Sequence, residues 1–378
     1  MTDSYARPPA RLFKSPRGRR CSSSNNQSKP IDLIRPRIPS RAMQAMAASG
    51  PSPRTPAVSL PLHDVGPGYS EPQAQYSISS QSLVNATIDL LQDHRCFETP
   101  QGWVLALDPA SLRTFLWRPE DSGERIALPP MEQDFPTNCK CVLSDRPGAS
   151  FCAVMVLDLD ECEFWLCTVG GSKWGRHGYT LTMYNAQDEP VERHMATRHG
   201  IAAVGGKIYY EFTGYQLGFV DFDPADDDPE PIHGMIDVDH VDIPDGAPMW
   251  SSYLVESCGE LFQVVIIFDG HNVHKVAEVA VYKMDFSTPA WCKVDRIGDD
   301  RVFLLGGDRL GESNFGASCP AGEHGLSGNC IYFLNHFATN ENFVHIVDLD
   351  KGTNEVQRPF KDFVDSLRPP FWMLPTAE

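Results

Sequence analysis

The stretch GNCIYFLNHFATNENFVHIVDLDKG, residues 328–352, decides how the rest of the chain is read. A glycine opens it. A short apolar run, a polar turn, a second apolar run and an acid-containing turn follow. Both runs are too short for helices, and their β-branched and aromatic residues suit strands. Just upstream, IGDDRVFLLGG (297–307) is another short apolar run closed by glycines.

The same plan recurs in QGWVLALDPASLRTFLWRPEDSGERIALPP (101–130), in ASFCAVMVLDLDECEFWLCTVGGSKW (149–174) and in VGGKIYYEFTGYQLGFVDFDPADD (204–227). It appears again in SCGELFQVVIIFDG and KVAEVAVYKMDF, within 257–286. Gly102, Ser150, Gly206, Gly259 and Gly328 open these units, at intervals of 48, 56, 53 and 69 residues. The last interval is lengthened by GGDRLGESNFGASCPAGEHGLS (306–327), read as a glycine-rich loop. A strand-only repeat of roughly 50 residues is the signature of an all-β β-propeller with four strands per blade. A set of unrelated meanders, such as a sandwich, is the alternative.

Residues 74–378 number 305, which at about 50 residues per blade gives six blades, with seven as the alternative count. The sixth is expected to close by pairing of QYSISS (75–80) with FWMLP (371–375), which would protect the edges. IGDDRVFLLGG is then the edge of one blade running into an inner strand of the next. Helical periodicity is confined to SLVNATIDLLQ (82–92) and PFKDFVDSL (359–367). Valine at Gly259 is expected to strain a positive φ and to crowd the start of its strand.

The net charge of −18 is unevenly spread. Residues 1–54 hold eleven Arg or Lys against Asp3 and Asp32, a balance of +9, so the remainder carries −18 − 9 = −27. An acidic body repels phosphate, which speaks against nucleic-acid binding by the propeller. Residues 1–68 read as a disordered basic arm rich in Pro, Ser and Arg, preceding a propeller over 74–378. Its makeup also resembles an organelle transit peptide. PRGRR (16–20, with Pro16) is a candidate nuclear signal, and Met43 and Met46 offer alternative starts. The longest apolar runs, such as VVIIF (264–268), are far shorter than the roughly 20 residues of a membrane helix, so no membrane association is expected. The eleven cysteines include no C-x-x-C pair. Several lie in apolar runs, as buried reduced thiols do. Cys152, Cys167 and Cys330 are expected to be buried and unpaired. The expected location is the cytoplasm or nucleus, with an organelle as the alternative.

The chain resembles the plant KIB-type β-propeller proteins, which often follow an F-box. The resemblance rests on YLVESCGELFQVV (253–265), VAVYKMDFSTPAWCKVDRIGDDRVFLLGG (279–307), GASCPAGEHGLSGNCIYFL (316–334) and VHIVDLDKG (344–352). HRCFETPQGWVLALD (94–108) and RIALPPM (125–131) resemble the family's first blade. Two acids, Asp299 and Asp300, precede Arg301 where the family often has one. Nothing before residue 70 resembles an F-box. The resemblance therefore implies a fold and transfers no catalytic site.

No G-x-S-x-G elbow, P-loop, G-x-G-x-x-G after a strand or H-E-x-x-H occurs. His271 and His274, in GHNVHK, fit a solvent-facing turn better than a metal site. Cys139 and Cys141 fall on one strand face, but zinc would need two further ligands nearby. DFDPADDDPEPIHGMIDVDHVDIPDG (221–246) holds ten acids and no Lys or Arg. It reads as an exposed acidic loop, with Ca²⁺ or a basic partner as alternatives. The tryptophans are expected to pack between blades. No catalytic, cofactor-binding or metal residue is expected. The reading is a non-enzymatic module for protein partners. A ubiquitin-ligase substrate subunit using an F-box supplied elsewhere, and a propeller enzyme or small-ligand binder, are the alternatives.

Overall fold

The computed structural model describes residues 58–62, 73–84, 88–119, 125–184, 189–193, 195, 200–223, 230–239, 241, 249–307, 315–336, 341–363 and 370–374. In chain order, sheet 1 holds β1 (Ser59–Leu62), β2 (Ala74–Ser77) and β3 (Ser82–Val84). Sheet 2 holds β4 (Arg95–Glu98), β5 (Val104–Leu107), β6 (Thr114–Trp117) and β7 (Arg125–Ala127). Sheet 3 holds β8 (Cys139–Leu143), β9 (Ala153–Asp158), β10 (Glu163–Thr168) and β11 (Gly175–Gly178). A ribbon of β12 (Leu181–Tyr184) and β13 (Pro190–Arg193) follows. Sheet 4 holds β14 (Ile201–Val204), β15 (Lys207–Thr213), β16 (Gln216–Asp221) and β17 (Ile232–Asp237).

The next strands are β18 (Trp250–Ser257), β19 (Glu260–Asp269), β20 (Asn272–Asp285), β21 (Ala290–Val294) and β22 (Arg301–Leu305). They are followed by β23 (Gly316–Pro320), β24 (Cys330–His336), β25 (Asn342–Asp348) and β26 (Thr353–Gln357). These run in the spatial order β21-β20-β19-β18-β23-β22-β24-β25-β26. A single parallel pair, Val255 with Gly316, joins the two halves, sheet 5 (β18–β21) and sheet 6 (β22–β26).

Alternation along the strands explains why they read as continuous apolar runs. In β9, Val154 and Val156 enter the core against sheet 2, while Ala153, Met155 and Leu157 enter the core against sheet 4. Both faces are buried, so no polar alternation is left to read. The other sheets behave alike. Ala202, Tyr209 and Leu217 of sheet 4 meet Leu254, Leu261 and Met284 of sheet 5. Val255, Val264 and Val281 meet Phe303, Ile331 and Val347 of sheet 6. Val302, Tyr332 and Val344 meet Leu60, Leu62 and Tyr76 of sheet 1. Val104, Ala106 and Trp117 of sheet 2 meet Phe371 and Met373. Met373 exchanges both backbone hydrogen bonds with Ser59, at 3.2 and 2.8 Å, which returns the series to sheet 1.

The segments that carried the resemblance form one polar knot. Asn329 Oδ1 accepts from the Ile297 N–H at 2.9 Å, and its own N–H donates to the Arg301 carbonyl at 2.8 Å. A Cβ on Gly328 would stand 1.9 Å from the Asp299 carbonyl oxygen, so only glycine lets the two turns touch. The knot sets β24 beside β22 in parallel.

Several expectations are corrected. The arm expected to be disordered over 1–68 contains ordered chain, because Val58, Leu60 and Leu62 are fully buried in and beside β1; residues 1–57 and 63–68 lie outside the described residues. Closure is made by Ser59 and not by 75–80; β2 lies one strand further out, paired to β1. The segment 306–327 is not all loop, since β23 runs through it and Phe315, Ala317 and Cys319 share one buried face. Residues 308–314 lie outside the described residues. Within 82–92, residues 82–84 are strand, and the helix is only Leu90–Asp93. Of 359–367, only 359–363 are described, and they form turns. Arg301–Leu305 is an inner strand as expected, flanked by β23 and β24, but residues 297–300 before it form a turn and no blade edge. Gly259 has φ +80°, as expected for a strained site, but its surroundings are open, so crowding is not part of a valine's cost there.

Cys152, Cys167 and Cys330 are buried and form no disulfide, whereas Cys258 is exposed in a hairpin turn. An aromatic-disulfide reagent should therefore label Cys258 within seconds to minutes and leave those three unmodified until the protein unfolds. Rapid labelling of all three in the native state would contradict the packing. Truncation tests the corrected boundary. Removing residues 1–57 should leave the melting temperature unchanged. Removing 1–68 deletes three fully buried side chains, each worth about 1.5–3 kcal/mol, and should lower it steeply or prevent folding. Equal melts for the two truncations would show that β1 is dispensable.

Candidate functional site

The residues singled out in the sequence are not brought into one site. His271 and His274 lie on the exposed β19–β20 hairpin, and the His274 ring meets Phe343 edge-on at 5.1 Å. Cys139 and Cys141 share a face of β8, and Cys152 and Cys167 join them in the core between sheets 2 and 3. Burial pushes the Cys141 and Cys167 thiols well above their usual range and Cys152 to about 12. These are core groups. Among the described residues, no cluster of three or more His, Cys, Asp or Glu side chains is arranged to hold a metal ion. Of the acidic stretch 221–246, residues 224–229, 240 and 242–246 lie outside the described residues. The described part includes the exposed edge strand β17.

Most tryptophans pack between sheets as expected. Trp103 and Trp165 lie between sheets 2 and 3, and Trp117 lies against Phe371 and Met373. Trp372 is buried in the core between sheets 1 and 6 and donates Nε1–H to the Leu305 carbonyl at 2.7 Å. Trp250 differs: it opens β18 with 37% of its surface exposed.

Trp250 stands at the rim of a polar seam that nothing in the sequence marks. Glu211 on β15 faces sheet 5, two residues along its strand from the apolar Tyr209. Its Oε1 accepts from Ser252 Oγ at 2.8 Å and from Gln263 Nε2. Gln263 Nε2 also donates to Ser252 Oγ, at 3.1 Å. Ser252 and Gln263 are diagonal cross-strand neighbours on β18 and β19, Ser252 lying opposite Val265 and Gln263 opposite Leu254, on the face that carries Leu254 and Leu261. Glu211 keeps part of its surface accessible yet lies deep between the sheets. Desolvation therefore pushes its carboxyl up to about 7, and the hydrogen bonds from Ser252 and Gln263 only partly offset this. Beyond Glu211, β15 turns through Tyr215, which is 65% exposed, and its carbonyl accepts from the Val238 N–H at 2.8 Å. Contact between Glu211 and Ser252 places Tyr215 and Trp250 at the same end of adjacent sheets. The seam can bind, orient or exchange a proton near neutral pH.

Sheets of short antiparallel strands, packed face to face in series, make this a β-propeller protein. The chain belongs to the KIB1-4 beta-propeller family, whose model matches residues 75–357. The match stops short of both closing segments, Ser59–Leu62 and 371–374. No curated protein matches the chain. Solved structures are similar only distantly. A periplasmic gluconolactonase of Pseudomonas aeruginosa is 11% identical with a TM-score of 0.33, covering 84% of this chain and 99% of its own. A functionally unknown protein from Desulfotomaculum acetoxidans is 10% identical with a TM-score of 0.29, covering 66% and 69%. Apo AztD from Citrobacter koseri is 11% identical with a TM-score of 0.28, covering 80% and 81%. At such values the likeness says nothing about activity.

The seam carries a signed pH dependence. Glu211 has a folded pKa of about 7 against 4.5 when unperturbed, so its protonated form favours the folded state. That contribution is complete below about 4.5 and is lost as pH rises through about 7. Between pH 5 and pH 8, wild type should lose about 1–3 kcal/mol relative to Glu211→Gln, which cannot ionise. Denaturant melts across that range are the check, and parallel curves for the two proteins would show that Glu211 does not titrate there.

Proposed function

We propose that the chain is a non-enzymatic protein-interaction module on a six-bladed propeller. The count follows sheets 1–6, with Met373 completing sheet 1 beside β1. The observation that carries the functional reading is the pair of exposed aromatics, Tyr215 and Trp250, at one end of adjacent sheets. Tyr210 and Tyr253 of the same sheets are buried, and exposed Phe286, in the β20–β21 turn, packs on Tyr209 at 5.4 Å. Exposed tryptophan and tyrosine on a rigid support are the side chains from which binding hot spots are built. The hairpin carrying Tyr215 is such a support, with its backbone tied to Val238.

The acidic body favours protein partners over nucleic acid. Among the described residues, no helix is long and apolar enough to cross a membrane. Buried, non-disulfide thiols such as Cys152 and Cys167 support a reducing compartment, the cytoplasm or nucleus.

Affinity capture with the full chain, compared with a Tyr215→Ala/Trp250→Ala double variant, tests the reading. Both side chains are exposed, so the variant should melt like wild type. It should lose at least fivefold of one or more defined partners that wild type enriches. Identical capture would move the interaction elsewhere, and no enriched partner at all would overturn the module. Co-capture of a ubiquitin-ligase scaffold would favour the substrate-subunit alternative.

A further inference from the structure

Each of the six sheets presents one outermost strand: β3, β7, β11, β17, β21 or β26. An open edge invites pairing with another chain, and proteins blunt such edges by shortness, by charge or by proline. Five of the six strands follow that rule. β3 and β7 are three residues long, β11 carries Arg176, β21 carries Lys293, and β26 has Glu355 at its centre. β17 departs from it. IHGMID runs for six residues without proline, lysine or arginine, and its one carboxylate is the last residue, Asp237. Ile232 is 54% exposed and Met235 40%. All six residues pair with β16 along one edge. Among the described residues, no strand pairs with the other edge.

An extended segment laid along that edge would satisfy its outer backbone groups and extend the four-stranded sheet 4 by one strand. Side chains alternate along a strand, so Met235 and Asp237 would meet one face of the segment and Ile232 the other. The charge around the edge selects the segment. Glu230, Asp237 and Asp239 are exposed, and no Lys or Arg pairs with any of them among the described residues. Only His177 approaches, at 3.7 Å from Glu230. The whole stretch 221–246 holds ten acids and no Lys or Arg. A basic segment complements it. The edge also leads toward Tyr215. Gln216 lies opposite Asp237, and the Tyr215 carbonyl accepts from the Val238 N–H.

We propose that β17 takes an extended, basic segment of a partner protein as an antiparallel fifth strand of sheet 4. Apolar residues of the segment lie against Ile232 and Met235, and a lysine or arginine lies against Asp237. This deepens the interaction-module reading and rests on it.

The probe is a capped peptide with the core Lys-Thr-Val-Thr-Thr-Val between terminal lysines, titrated into the full chain by calorimetry. Saturable binding is expected, with slowed hydrogen exchange at residues 232–237. Two analogues, N-methylated on one or the other alternate set of core residues, keep the charge and remove the backbone donors of one edge. One of them should bind at least tenfold more weakly and the other nearly as well as the parent. Met235→Lys should weaken the parent peptide at least tenfold while melting like wild type, since the side chain is exposed. If that variant fails to fold, Ile232→Lys replaces it in the same titration. Absence of saturable binding, equal affinity of both methylated analogues, or unchanged affinity of the lysine variant overturns the proposal. Partner capture that survives Met235→Lys but is lost in Tyr215→Ala/Trp250→Ala would remove this edge and leave the interaction module standing. An absence of captured partners in wild type would instead remove the module itself.

Discussion

A sheet that is apolar on both faces needs two neighbours, and the whole architecture depends on that constraint. Each strand pair in sheets 2–6 sends alternate residues into two different cores, as Val154 and Met155 do from adjacent positions in β9. A row of such sheets would end in two exposed apolar faces. The row is spared this because sheet 1 takes Leu60 and Tyr76 to one end of it, while Phe371 and Met373 cover the other. The Ser59–Met373 bridge is where those two coverings meet. Two hydrogen bonds there contribute little by themselves, roughly 1 kcal/mol each. Their weight lies in what they hold in place: full burial of Val58, Leu60, Leu62 and Trp372.

The middle of the fold was legible in the sequence because its turns are punctuated by glycine and its strands are unbroken apolar runs. The closing strand was not. SLPL is four residues long and sits in a Pro- and Ser-rich stretch whose composition argues for disorder. Pro61 is tolerated for a local reason. Ser59 directs its N–H and carbonyl toward Met373, so residue 61 faces the same side, where no further ladder bond is made. Strand β23 was hidden by the feature that makes it possible. A Cβ on Gly316 would stand 2.6 Å from the Leu254 carbonyl oxygen, so the close approach to β18 demands small residues. Small residues are also what make GASCP look like loop.

The candidate site was less legible still. KIYYEFT reads as an ordinary strand, in which a lone glutamate would be assigned to solvent. Its partners lie 41 and 52 residues away in other strands, at no spacing that a motif could register. Only the packing of sheet 4 on sheet 5 creates the seam. The family match spans these residues.

The two ends of the strands differ in kind. At the end where β18 finishes, polar side chains tie turn to turn. Ser257 meets Ser318 at 2.9 Å, Arg301 Nε donates to Ser318, Asp300 accepts from the Gly322 N–H at 2.7 Å, and Arg296 reaches both Asp299 and Asp350. The register of β18, β23, β22, β24 and β25 puts all of these on one side. Most are exposed pairs of small individual worth, but together they fix loop geometry across sheets 5 and 6. At the opposite end β18 begins with exposed Trp250, and the Glu211 seam opens beside it. A buried carboxyl there costs stability that an apolar replacement would not. The two ends of the same strands thus differ in what they expose: a net of polar ties between turns at one, and the aromatic side chains of Trp250 and Tyr215 at the other.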